Sequence, residues 1–111
     1  MKYFENGTKE DNKEYLIFTR GYFDCDYNVK KGDLLLEFNR SKELKFFKVL
    51  GPHIDDYPYM DFFEVDKETW SKIKKTADEI GGETKEAIDE LDEWVTLNFM
   101  KNDVFAILGI E

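Results

Sequence analysis

The sequence predicts an α+β domain: an antiparallel meander of four strands, then a helical hairpin packed on one sheet face, then a buried C-terminal strand (β-β-β-β-α-α-β). Three observations predict it. Four short runs rich in aromatic and aliphatic residues occupy the first sixty-five positions, with short connections that favour antiparallel neighbours. After Asp66 the apolar spacing changes to threes and fours, the signature of amphipathic helices. The chain then ends on a nearly continuous apolar run, as a strand covered on both faces requires.

Residues 15–23 form the first run, followed by a turn region that closes at Lys31-Gly32-Asp33. Residues 34–38 form the second, with Leu34, Leu36 and Phe38 alternating against Glu37. Residues 39–42 supply turn residues, residues 44–50 the third strand, and Gly51-Pro52 a stop. Residues 60–65 are the fourth. Asp66 suits an N-cap, and Trp70, Ile73, Ala77 and Ile80 mark the buried side of the first helix. Gly81-Gly82 closes it, because glycine accepts the left-handed conformation beyond a helix C-terminus. A second helix starts near Thr84, carries Ile88, Leu91, Val95 and Phe99 on one stripe, and runs out at 101–103. Residues 104–110 are the buried strand. Residues 1–12 read as a short extra strand turning at Asn6-Gly7, or as a loose arm, the strand being preferred.

The 111 residues fit one domain, 1–111. The hydrophobic content of 41%, with 16% aromatic, supports a packed core despite a net charge of −9. A lone cysteine, Cys25, allows no internal disulfide and suggests a reducing, cytoplasmic setting. No apolar run approaches the roughly 18 residues of a membrane span, and the N-terminus lacks a signal-peptide core. Fourteen lysines against two arginines suggest an AT-rich genome, a hint of a bacterium or phage.

The charge is unevenly placed. Residues 1–54 carry a net +1 and residues 55–111 a net −10. Within 83–93, six acids face the single Lys85. On the second helix Glu86, Asp89, Glu90 and Glu93 cluster opposite the apolar stripe, with Leu97 beside them. Like charges three and four apart cost about 0.2–0.5 kcal/mol per pair. By contrast, the first helix mixes Glu68, Lys72, Lys75 and Glu79 on its outer face. Acids near a helix N-terminus complement the macrodipole and aid solubility, which explains Glu83 and Glu86 better than Glu93. A second acidic and aromatic candidate is the loop holding Asp55, Asp56, Tyr57, Tyr59 and Asp61, whose tyrosines suit an interface or a cap on the core. Residues 22–28 repeat the theme.

Catalytic and metal chemistry find little support. Asp24, Asp26 and Asn28 imitate the start of a calcium loop, but Val29 stands where glycine is required and Leu35 where the bidentate Glu belongs. One Cys and one His, Cys25 and His53, are too few for zinc and have no supporting nucleophile motif. Asp55, Asp56 and Asp61 have no nucleophile motif beside them, and no phosphate-binding glycine loop is present. The sequence thus leads to a non-enzymatic domain without cofactor or metal. It would bind and neutralise a protein with a basic surface, such as a nuclease, a toxin or a nucleic-acid-binding effector, and would bind neither nucleic acid nor membrane directly. Immunity proteins and phage counter-defence inhibitors that imitate nucleic-acid charge share this physics. The alternative is a small-ligand or regulatory module with an aromatic-lined pocket.

Overall fold

The computed structural model describes residues 1–6, 13–24, 29, 31–57 and 61–109. Among them the order is β1 (Glu5–Asn6), β2 (Tyr15–Arg20), β3 (Leu34–Glu37), α1 (Phe38–Glu43), α2 (Phe46–Val49), β4 (Phe62–Asp66), α3 (Lys67–Ile80), α4 (Gly82–Phe99) and β5 (Val104–Gly109). The α+β class, the helical hairpin and the buried last strand are as the sequence predicts. The five strands form one antiparallel sheet in the order β1-β3-β2-β5-β4.

Three expectations are corrected. Residues 39–42 are not a turn: with Phe38, read as the end of a strand, they lie in α1, where the Ser41 hydroxyl donates to the Phe38 carbonyl one turn back. Residues 44–50 are not a strand. Leu44 and Lys45 link α1 to α2, and the buried residues Phe46, Val49 and Leu50 follow helical spacing, with Phe47 and Lys48 exposed. A strand would have placed Phe46 and Lys48 on one face, burying a charge beside a ring. Lys45 adopts the left-handed conformation (φ 58°), which separates the two short helices. Consequently there is no four-strand meander. With no third strand beside it, β4 pairs instead with β5 across the α3–α4 connection.

The strand β5 takes an interior place between β2 and β4, and its first five residues are buried. The remaining boundaries shift slightly: β2 stops at Arg20, β3 at Glu37, and β4 begins at Phe62, Met60 lying outside the described residues. At the N-terminus β1 is indeed a strand. It pairs with β3 through Glu5–Leu35 and Asn6–Leu34, while Gly7, proposed as its turn, lies outside the described residues.

The sheet has two buried faces. Leu16, Phe18, Leu34, Leu36, Val65, Phe105 and Ile107 face the helices and join Trp70, Ile73, Ile88, Leu91, Trp94 and Val95 in the main core. Phe105 is its hub: the rings of Trp70 and Trp94 meet it edge-on at 5.6 and 5.7 Å, and Phe99 lies at 5.9 Å. The opposite face buries Tyr15, Ile17, Leu35, Ala106 and Leu108, with Phe23 and Val29 packed against it.

The helix hairpin is set by local chemistry. Asp66 caps α3, its side chain accepting the Thr69 N–H at 2.8 Å. Gly81 and Gly82 have φ of 70° and 59°, so the chain reverses within one residue between α3 and α4, a geometry that other residues resist. The Trp70 indole N–H donates to Asp92 at 2.7 Å and ties the two helices together.

Candidate functional site

The acidic row on α4 is mostly engaged within the molecule. Glu90 accepts the backbone N–H groups of three consecutive residues, Lys2 at 2.7 Å, Tyr3 at 3.0 Å and Phe4 at 2.9 Å. A carboxylate supplies several acceptor sites, so one side chain stands in for the pairing partners that an extended arm lacks. Glu86 accepts the Tyr3 hydroxyl at 2.6 Å and lies 3.8 Å from the Lys2 ammonium. Donating to Glu86 is the main reason the Tyr3 hydroxyl titrates above its ordinary value. Asp89 pairs with Lys85 at 2.6 Å, and this bond raises the lysine's own pKa. The repulsion expected between the four acids is therefore relieved by the N-terminal arm and by Lys85.

The outer stripe remains open. Glu93 is exposed and has no hydrogen-bonding or ion-pair partner among the described residues. Four residues on, Leu97 is 58% exposed, and Met100 beyond it is 75% exposed, so both present apolar surface to solvent. Glu93, Leu97 and Met100 follow the i, i+4, i+7 spacing of one helical stripe. Met100, just past the last turn, was not singled out by the sequence, although its spacing from Leu97 was visible there.

The loop candidate divides. Asp55, Asp56 and Asp61 are exposed, Asp56 in the left-handed region at φ 61°. Tyr57 packs on the main core, where burial pushes its hydroxyl up to about 12, an effect that a hydrogen bond with Ser41 partly offsets. Tyr59 lies outside the described residues. The loop is fastened to α3 by a 2.9 Å bond between His53 Nε2 and Thr76 Oγ1. Among the described residues no hydrogen bond or ion pair joins its acids to α4.

Cys25, Asp26 and Asn28 also lie outside the described residues. Among those described, no three His, Cys, Asp or Glu side chains converge as a metal site would require, and no helix is long and apolar enough to cross a membrane. Comparison with protein-family models, curated proteins and solved structures finds no match for the chain.

A second candidate site, of which the sequence reading had singled out only Tyr57, lies along α1 and α2. Phe38, Ser41, Lys42, Phe47 and Tyr57 line an apolar groove of about 300 Å³. The mistaken strand assignment for 44–50 concealed it, since Phe47 faces this groove only if residues 46–49 are helical.

Proposed function

We propose that the chain is a protein-binding domain that neutralises a partner with a basic surface, engaging it through the outer stripe of α4. The observation that carries this reading is Glu93, exposed and unpaired among the described residues, in line with the exposed Leu97 and Met100. A carboxylate flanked by apolar side chains combines steering with an anchor that excludes water. Asp89 and Glu86 extend the negative field along the helix, their side chains being 58% and 60% exposed despite their internal partners. Glu90 serves the fold in this reading, by holding the arm in place. Asp55, Asp56 and Asp61 add to the overall charge of −9. The partner would be a nuclease, a toxin or another nucleic-acid-binding protein, met in the cytoplasm, with carboxylates occupying the sites of phosphates.

The test is a crosslinking and titration pair. A photoreactive residue at position 97 captures the partner in host cells, and the purified pair is then titrated. Affinity is expected to fall about tenfold or more between low and physiological salt, and as much again with Asp89→Lys plus Glu93→Lys or with Leu97→Ser. A captured protein whose affinity ignores salt and all three substitutions would refute the assignment.

A further inference from the structure

The groove on α1 and α2 is chemically unlike the rest of this acidic molecule. None of its five lining residues is acidic. Phe47 forms one wall and is 53% exposed. Phe38 forms another, with the Lys42 ammonium 4.9 Å from its ring centroid. Lys48 stands 5.8 Å from the Phe47 ring centre. Lys42, Lys45 and Lys48 are exposed and form no ion pair with any carboxylate among the described residues, whereas Arg40, on α1 with Lys42, pairs with Glu43 and Glu83.

The groove lining is apolar and carries no negative charge. Ser41 donates its hydroxyl to the Phe38 carbonyl at 2.6 Å, and the Tyr57 phenol beside it stays neutral at physiological pH, so neither repels an anion. A volume near 300 Å³ is at the lower limit for ligand pockets, which suits one ring and a short chain.

We propose that this groove binds a small aromatic carboxylate, the ring lying between Phe38, Phe47 and Tyr57 and the carboxylate meeting the Lys42 ammonium. The charge selects the ligand. Lysines that flank apolar walls and pair with no carboxylate among the described residues complement a monoanion, and they disfavour an amine of the same shape. The site is built from α1, α2 and Tyr57, none of it on α4, so it stands or falls independently of the protein-binding reading for α4.

The probe is 3-phenylpropionate, titrated into isotopically labelled full-length chain and followed by amide shifts. The neutral alcohol and the cationic amine of the same skeleton serve as controls. Saturable shifts are expected at Ser41, Lys42, Phe47 and Tyr57, with a Kd in the millimolar range or tighter, as a ligand of this size allows. The amine should bind about tenfold more weakly or not at all. Lys42→Gln should bring the acid down to the affinity of the alcohol, and Phe47→Ser should weaken both. Because both side chains are exposed, these variants are expected to fold, and an unchanged amide spectrum elsewhere verifies it. Shifts that do not saturate, an amine that binds as well as the acid, or an affinity indifferent to Phe47→Ser would overturn the assignment.

Discussion

Glu90 holds Tyr3 by its backbone N–H at 3.0 Å across 87 residues of sequence, and the same carboxylate takes the amides on either side of it. The acid at the centre of the candidate face is thus an anchor for the N-terminal arm. Glu90→Gln keeps the shape but replaces one acceptor oxygen with an NH₂ donor that confronts the amides. We expect a loss of about 1–3 kcal/mol in urea unfolding, and faster hydrogen exchange at Lys2, Tyr3 and Phe4. Unchanged exchange at those amides would contradict the anchoring role.

Asn98 is buried and uses both ends of its amide. Its oxygen accepts from Gly21 N–H and from Asn102, both at 3.1 Å, and its nitrogen donates to the Val104 carbonyl at 3.0 Å. Asn98→Leu should cost about 2–4 kcal/mol, because a backbone donor and a backbone acceptor are left without partners. The denaturation midpoint should fall with little change in slope.

Two phenylalanines of equal size should behave oppositely. Phe105→Ala empties the site on which Trp70, Trp94 and Phe99 converge and should cost about 3–5 kcal/mol. Phe47→Ala, at a ring half in water, should stay within about 1 kcal/mol of the parent. Thermal or urea unfolding of the two variants side by side checks the contrast.

Tyr57 makes stability depend on alkaline pH. Its folded-state pKa of about 12 exceeds the ordinary tyrosine value of 10.0 because burial disfavours the phenolate. The unfolded chain therefore releases this proton first. The contribution is complete below about pH 10 and is lost as pH rises towards 12, an amount on the order of 2–3 kcal/mol. Tyr57→Phe lacks this component, so the advantage of the parent over the variant should shrink by that amount between about pH 9 and 12. Urea titrations across that range measure it.

The legibility of the sequence followed the strength of its periodic signals. The stripe Trp70, Ile73, Ala77 in α3 and the stripe Ile88, Leu91, Val95 in α4 were readable because each repeats for several turns, and all six are buried. The run 104–110 was readable as interior because it offers almost no polar side to solvent. Residues 44–50 were not, because seven residues with five apolar positions fit either period, and only burial of Phe46 and Val49 with exposure of Phe47 distinguishes them. The acidic row was visible, but its internal use was not. Which carboxylates meet solvent depends on an arm more than eighty residues away, and no local pattern encodes that contact.

The docked arm also bears on how the protein is made. Synthesis delivers Tyr3 and Phe4 early, yet Leu35, which pairs with Glu5, and Glu90, which receives their amides, follow much later. On the ribosome the arm must wait until α4 has left the exit tunnel, and β2 must likewise wait for β5. Pairing among β1, β2 and β3 needs nothing beyond Glu37, but the native sheet closes only once β5 has emerged, so the β2 edge that β5 covers stays open in the interval, when a chaperone would act on it.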